Sequence, residues 1–180
     1  MKVRRVVAGV AADGRSRVFE DALAPRAVEF ESAPGFAATL LWASGAAELV
    51  ARGAPHDRTG SATFVPGQGE TLLMFVTFPP DSVMMRADFD GAAFGAEFAQ
   101  KVPGLAETFE ADHPGMHTTD SIDYDVVLDG EITLELDDGA QVALRRHDVA
   151  VQHGNRHAWR NLGDKPATML FVLIGTRRAG

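Results

Sequence analysis

The chain has 180 residues, 46% of them hydrophobic and 23% charged, as in an ordinary globular domain rather than a disordered segment. Its formal net charge of −8 argues against nucleic acid and against an anionic membrane surface as partners, since both require a basic patch. Without cysteine there is no disulfide or thiolate ligand, and no run approaches the roughly 20 apolar residues of a membrane span, so we expect a cytoplasmic protein.

The N-terminal part predicts a series of short β-strands. Residues 2–19 form two strands around Ala12-Asp13-Gly14, because an Asp-Gly pair between apolar runs is typical of a hairpin turn. Four further strands are predicted, at residues 27–31, 37–43, 62–65 and 71–78. The third of these is the weakest, because the surrounding residues are rich in Gly, Ala and Pro.

Residues 94–111 form the helical region of the sequence. Four apolar side chains recur every three or four residues and therefore share one helix face: Phe98, Val102, Leu105 and Phe109. Pro103-Gly104 interrupts the pattern, which predicts two short helices or one kinked helix. The region either caps the mouth of a pocket, packs at a subunit contact or connects elements across the surface, and the surface connector is favoured.

The C-terminal part predicts the most regular strands. Residues 132–136 alternate apolar and polar side chains, and Asp137-Asp138-Gly139 turns the chain into a returning strand at 142–144. Further strands are predicted at 148–152 and 168–174, and the last, apolar on both faces, is expected to be buried on both. Many short strands separated by turns indicate an all-β fold, closed or built of two sheets.

Two segments with histidines flank this predicted hairpin. The first runs from Gly115 to Gly130, and the second begins at His157. They resemble the two motifs of the cupin superfamily, G-x5-H-x-H-x3,4-E-x6-G and G-x5-P-x-G-x2-H-x3-N. The resemblance matches His117 to the first histidine, Thr119 to the second, Asp123 to the glutamate, Gly130 to the closing glycine, His157 to the third histidine and Asn161 to the asparagine.

The resemblance implies a cupin jelly-roll β-barrel with an N-terminal β extension and a short helical segment before the first motif. We expect a single domain over residues 1–180. Residues 115–175 would form the barrel core with both motifs, while residues 1–90 would extend the barrel and supply a dimer contact.

The matched positions imply a metal site formed by His117, Asp123 and His157. Two imidazoles and one carboxylate suit a divalent ion of Fe, Mn, Zn or Ni, and ligand type alone does not choose among them. The alternative is a cupin without metal that uses the same residues as the polar floor of a pocket. Thr119 replaces the second histidine and is expected to hydrogen-bond a ligand or a metal-bound water.

Strand alternation orients the residues around Asp123. If Asp123 points inward, so do Asp125 and Val127, while the intervening side chains point outward: Tyr124, Val126 and Leu128. These outward side chains are apolar or amphipathic, so a second sheet or a partner subunit must cover them. We therefore expect a homodimer.

The remaining site residues are predicted from the same placement. Asp125 and His153 are the candidate proton shuttles. His153 either replaces the missing histidine, lines the pocket rim or is an ordinary surface residue. The expected pocket lining is Thr119, Val127, Gln152 and Trp159. Trp159 could equally pack in the core with its N–H hydrogen-bonded.

The resemblance implies an enzyme of small-molecule metabolism. The first hypothesis is a metal-dependent cupin that acts on a small organic acid or an oxygenated carbonyl compound, as a decarboxylase, dioxygenase or dehydratase. The second is a non-catalytic cupin that binds a small hydrophobic ligand as sensor or carrier. Fold alone does not decide between them.

Overall fold

The computed structural model describes residues 1–179, which contain eleven β-strands, one α-helix and three single-turn 3-10 helices. The strands are β1 (Arg4–Val10), β2 (Ser16–Leu23), β3 (Arg26–Glu29), β4 (Ala37–Ser44), β5 (Thr71–Phe78), β6 (Ser121–Asp129), β7 (Glu131–Glu135), β8 (Gln141–Arg145), β9 (Val149–His153), β10 (Ala158–Arg160) and β11 (Ala167–Gly175). Helix α1 spans Gly91–Lys101, and the 3-10 turns span Asp81–Val83, Ala106–Thr108 and Asp137–Gly139.

The strands form three antiparallel sheets. Six strands pair in the order β3-β4-β5-β11-β6-β9, three in the order β10-β7-β8, and β1 pairs with β2 alone. This mostly-strand architecture confirms the predicted all-β jelly-roll fold, although within residues 1–179 the ladders do not close into one continuous barrel. None of the helices in that range is long and apolar enough to cross a membrane.

Most predicted strands are present at or within a few residues of their expected positions. The strand expected at residues 62–65 is wrong, because this segment has no ladder partner in the described chain. It is held instead by the buried ring of Phe64, by the bond from its N–H to the carbonyl of Pro103, and by the Arg26 guanidinium 4.6 Å above that ring. Packing of one aromatic side chain replaces strand pairing here.

Side-chain alternation gives the six-stranded sheet two different faces. On β6 the inward Asp123, Asp125 and Val127 are buried, whereas Tyr124 is exposed, as the alternation predicts. On β11 only alternate residues are buried, which corrects the expectation of burial on both faces. Two cross-strand rows form the "outer apolar face": Phe75, Leu170, Val126 and Val149, and beside them Leu73, Val172, Tyr124 and Val151.

Helix α1 packs Phe94 and Phe98 against two rings of the loop after β3, Phe30 and Phe36. The Asp90 carboxylate caps it by accepting from the N–H groups of Ala92 and Ala93. The helix ends before Pro103-Gly104, and the 3-10 turn Ala106–Thr108 follows, so the interruption is confirmed but only one α-helix forms where two short helices or one kinked helix was predicted. Gly104 has φ +88°, a left-handed conformation that glycine adopts without strain.

Candidate functional site

A cavity of about 80 Å³ lies on the inner face of the six-stranded sheet. Most of its lining is apolar, with six phenylalanine rings: Phe36, Phe64, Phe78, Phe98, Phe109 and Phe171. Five polar side chains complete it, here called the polar wall: His117, Thr119, Asp123, Gln152 and His157. A mainly apolar cavity with a few convergent polar groups is the usual form of a small-molecule site.

Backbone pairing places the two histidines of the polar wall side by side. The N–H of His117 donates to the carbonyl of His157 at 2.9 Å, and the reciprocal bond is 3.0 Å long. Their imidazole centroids are 4.2 Å apart, and the Phe109 ring stacks 4.6 Å from His117 on the other side. The two motifs therefore meet at one point of the fold, although forty residues of sequence separate these histidines.

Each of these histidines is hydrogen-bonded to a backbone carbonyl through Nδ1. The carbonyl of Gly115 lies 3.0 Å from Nδ1 of His117, and that of Asn155 lies 3.1 Å from Nδ1 of His157. Since a carbonyl only accepts, each Nδ1 carries the proton and each Nε2 keeps a lone pair. Burial lowers the pKa of His117, and burial and the neighbouring His117 lower the pKa of His157 to about 4. Both rings are therefore neutral at physiological pH.

Two buried carboxyl groups stand beside the histidines. Among residues 1–179, the buried side-chain oxygens without a hydrogen-bond partner are Oδ1 of Asp123 and Oδ1 of Asp125. Burial raises the pKa of Asp123, and burial together with the Asp123 charge raises the pKa of Asp125 to about 8. Orphaned carboxyl oxygens are costly in a dry interior, so this pair is suited to take up a proton or a cation.

A hydrogen-bonded chain connects Asp125 with His157. The side-chain amide of Gln152 donates to Oδ2 of Asp125 at 3.0 Å, and its oxygen accepts from the Asn155 amide, also at 3.0 Å. The carbonyl of Asn155 is the group that holds Nδ1 of His157. Gln152 and Asn155 therefore position the acid and the imidazole relative to each other.

The polar wall carries no positive charge. Among the described residues, neither lysine nor arginine lines the cavity, and the imidazole Nε2 atoms accept rather than donate. A free carboxylate would therefore find no cationic partner, whereas a metal ion or a hydrogen-bond donor would find several oxygen and nitrogen lone pairs.

The structure brings together most of the predicted site residues. His117, Asp123 and His157, the predicted metal ligands, line the cavity together with Thr119, Gln152 and Trp159. Trp159 lies with its ring centroid 5.8 Å from that of Phe171 and 6.0 Å from that of His157, so it walls the cavity as well as packing in the core.

Three predicted site residues lie outside the lining. His153 is exposed on β9, on the face opposite Gln152, because adjacent strand residues point to opposite sides; its predicted roles as proton shuttle and pocket rim need correction. Val127 is buried in the core without reaching the cavity. Asp125 is also buried behind the wall and reaches the site through Gln152 rather than directly.

Sequence reasoning missed most of the aromatic lining. The face formed by Phe98, Val102, Leu105 and Phe109 was predicted correctly, but it lines the cavity instead of forming the favoured surface connector. Phe36 and Phe64 lie in loops without any periodic signal. The only available signal was the composition, which has eleven phenylalanines against one tyrosine.

The polar wall has the right chemistry for a divalent metal but no finished three-ligand geometry. Its two Nε2 lone pairs, each fixed by a backbone carbonyl on the far nitrogen, have the arrangement of metal-binding histidines. The orphaned Asp123 oxygen is a third donor of suitable type. Yet in residues 1–179 no group of three His, Asp or Glu side chains is already arranged to hold an ion.

Comparison with known proteins finds relatives over part of the chain. No protein-family model matches the chain. Over 62 residues it is 40% identical to the cupin-domain-containing oxidoreductase virC of Hypocrea virens, a match that covers 33% of this chain and 32% of that protein. Over that segment the chain is similar to a cupin-domain protein. This likeness agrees with the motif residues and with the antiparallel sheets described above.

Other relatives carry the names of biosynthesis cluster proteins. Over 60 residues it is 65% identical to the phomopsin biosynthesis cluster protein D of Diaporthe leptostromiformis, covering 33% of this chain and 32% of the relative. The matched segment thus spans about a third of the length of the curated relatives. A cupin superfamily protein of Desulfitobacterium hafniense has a solved structure with 14% identity over 58% of this chain and 67% of its own, at a TM-score of 0.36. So low a TM-score adds no argument.

Proposed function

We propose that this protein is a metal-dependent cupin enzyme that acts on a small, largely apolar molecule with an oxygen function, such as an organic acid or a carbonyl compound. The observation that carries the proposal is the pair of neutral imidazoles, each with a free Nε2, beside an orphaned carboxyl oxygen in an aromatic cavity.

His117 and His157 would hold the metal through Nε2, with Asp123 as the third ligand. When bound, a divalent ion supplies Lewis-acid polarisation of a carbonyl or carboxylate oxygen. It would also give an acidic substrate the positive partner that the described side chains of the cavity do not provide.

The protein's own residues orient the substrate and the polar wall. The phenylalanine wall excludes water and orients the apolar part of the substrate so that its oxygen faces the polar wall. Behind the wall, burial and the Asp123 charge raise the pKa of Asp125, which favours its protonated form, and the Gln152 amide donates to its Oδ2 at 3.0 Å. Since Asp125 does not line the cavity, it would act by holding Gln152 in place at the polar wall.

The names of the relatives support a redox or related role in small-molecule biosynthesis. Two matched proteins belong to a phomopsin cluster, and several others are described as cupin-domain-containing oxidoreductases. By this likeness we favour the dioxygenase type among the decarboxylase, dioxygenase and dehydratase reactions expected for the family.

The alternative is a cupin that binds a small hydrophobic ligand without turning it over. The observation in its favour is the cavity lining, most of which is apolar. Such a carrier would need a neutral ligand with a hydrogen-bond donor, because a bare acid has no cationic partner in the cavity lining.

Metal analysis by plasma mass spectrometry tests the proposal. After reconstitution with Fe(II), Mn(II), Zn(II) or Ni(II), we expect about one equivalent in the wild type and less than about a tenth in His157→Ala, since loss of one imidazole removes a third of the protein ligands. His153→Ala is the matched control, an exposed histidine on the other side of the sheet, and should retain the metal. Equal metal content in all three proteins would contradict the proposal.

A further inference from the structure

Three short segments pair around the two histidines of the polar wall and form a unit here called the histidine ladder. Phe109 pairs antiparallel with His117, and His117 pairs in turn with His157. The segment of His117 therefore lies in the middle, between that of Phe109 and that of His157. On the side of Phe109 the N–H of Glu110 also donates to the carbonyl of Met116 at 2.9 Å.

The histidine ladder has an inner and an outer face. On the inner face the rings of Phe109, His117 and His157 stand in a row that lines the cavity, with centroid distances of 4.6 Å and 4.2 Å. The residues next to them point the other way, because neighbouring residues of an extended chain alternate. Glu110 and Arg156 accordingly line an open cleft on the outer face.

One ion pair crosses the outer face from one edge of the ladder to the other. The Arg156 guanidinium donates to both oxygens of the Glu110 carboxylate, from Nε at 2.6 Å and from Nη2 at 2.7 Å. Its Nη1 donates to Asp137, in the turn between β7 and β8, at 2.8 Å. The Glu110–Arg156 pair therefore joins the two outer segments of the ladder over the middle one.

The geometry of this pair differs from that of an ordinary surface ion pair. Exposed ion pairs contribute little to stability unless they are bidentate or belong to a network, and this pair meets both conditions. Of the Glu110 side chain 34% is exposed, and of the Arg156 side chain 27%. The hydrogen bond from Arg156 also lowers the pKa of Glu110, so the carboxylate is ionised at neutral pH.

Both members of the pair adjoin residues that contact the histidines. The glutamate follows Phe109, whose ring stacks on His117. The arginine follows Asn155, whose carbonyl holds Nδ1 of His157. The ion pair therefore restrains the ring on one side of His117 and the hydrogen-bond acceptor of His157.

We propose that Glu110 and Arg156 are positioning residues that set the spacing and orientation of His117 and His157 in the cavity. A ladder of such short segments has few hydrogen bonds of its own and opens locally, and a bidentate ion pair across its outer face resists that opening. Neither residue lines the cavity, so both act through the backbone of the ladder. Their effect on metal affinity rests on the proposed metal-dependent function, whereas their effect on the two imidazole rings does not.

NMR of the metal-free protein with ¹³Cε1-labelled histidine tests the inference. The chain has six histidines, and His117→Gln and His157→Gln assign the two signals of the ladder. In Glu110→Ala we expect both signals to shift, because the ring currents of stacked aromatic side chains fall off steeply with distance. Arg156→Met removes the same ion pair from its other side, so it should shift the same two signals and serves if Glu110→Ala does not fold.

Asp137→Ala is the matched control. It removes the other carboxylate that Arg156 binds, and thus the same charge, but Asp137 lies in a turn outside the histidine ladder. The signals of His117 and His157 should keep their wild-type positions in this variant. Unchanged signals when the Glu110–Arg156 pair is removed, or equal shifts in Asp137→Ala, would overturn the inference.

Zinc titration of the same variants separates this inference from the proposed function. Glu110→Ala should bind Zn(II) about tenfold more weakly than the wild type, the low end of the range for groups outside the ligand shell, and Asp137→Ala should bind like the wild type. Equal affinity in Glu110→Ala and the wild type would contradict the inference and leave the metal proposal intact. A wild type that binds no zinc would contradict the metal proposal, and the NMR signals would still decide the role of the ion pair.

Discussion

At the scale of single residues, two backbone carbonyls determine which nitrogen each cavity histidine presents. The carbonyl of Gly115 holds Nδ1 of His117, and that of Asn155 holds Nδ1 of His157. Gly115 has φ +84°, and a Cβ there would lie 2.8 Å from a guanidinium nitrogen of Arg160. The positive φ therefore favours glycine at this position, whereas the Arg160 guanidinium is the end of a flexible side chain and could move aside.

Gly115→Ala should weaken the proposed metal binding without removing a ligand. The strained residue would displace the carbonyl that orients His117, and loss of such an outer hydrogen bond typically costs 10–100-fold in metal affinity. Isothermal titration with Zn(II) measures the change.

The matched control is Gly139→Ala. Its glycine also has a positive φ, +73°, but an added Cβ would meet nothing within 4 Å. We expect it to keep wild-type affinity while losing a comparable amount of backbone stability, about 1 kcal/mol. Equal loss of affinity in both variants would mean that strain alone, and not the His117 orientation, was responsible.

At the scale of elements, helix α1 and the turn after it close one side of the cavity. Phe98, Val102, Leu105 and Phe109 line the cavity, and one carboxylate fastens the helix to the loop after β3. Glu97 accepts from the backbone N–H groups of Glu31 and Ser32, from the Ser32 hydroxyl and from Lys101. The ammonium of Lys101 also donates to the carbonyl of Glu29.

The hydrogen bonds that Glu97 accepts should be lost in acid. Burial alone would raise the pKa of Glu97, but the hydrogen bonds from Lys101, Ser32 and the backbone outweigh it and lower the pKa to about 2. Because the pKa of Glu97 is lower in the folded protein than its value of 4.5 in the unfolded chain, the ionised carboxylate stabilises the folded state above pH 4.5. This stabilisation is lost as the pH falls toward 2. The protection factors of the α1 amides, which are corrected for the intrinsic exchange rate at each pH, should therefore fall between about pH 4.5 and pH 2.

Glu97→Gln should weaken the attachment of α1 to the loop after β3 at neutral pH. It should also abolish the acid-induced loss of protection of the α1 amides. Glu107→Gln, an exposed glutamate in the following 3-10 turn, is the control and should leave that loss unchanged. If the protection of the α1 amides had the same pH dependence in Glu97→Gln and in the wild type, another group would control the local unfolding of α1.

At the scale of the whole molecule, local patterns predicted more of the fold than of the cavity. The period of two on β6 gave the inward Asp123 and Asp125 and the outward Tyr124, because alternation depends only on neighbouring residues. The same rule shows why Gln152 and His153 cannot both face the site. The rule does not say which of the two is excluded; the pairing of Gln152 with the inward Asp123 decides that it is His153.

The remaining part of the cavity depends on contacts distant in sequence. Phe36 and Phe64 enter from loops, where no period indicates direction, and they meet α1 only after the chain has folded. For the same reason the sequence did not predict what the apolar helix face contacts. The helical period indicates which side of the helix is apolar, but not which surface covers that side. Long-range packing decides both.

The most direct test of the account is X-ray absorption at the metal edge of the reconstituted protein. We expect a first shell of nitrogen and oxygen, with the outer-shell scattering of two imidazoles in the wild type and of one in His117→Ala. A spectrum without imidazole scattering in the wild type, or one unchanged in His117→Ala, would contradict a metal centre built on His117 and His157.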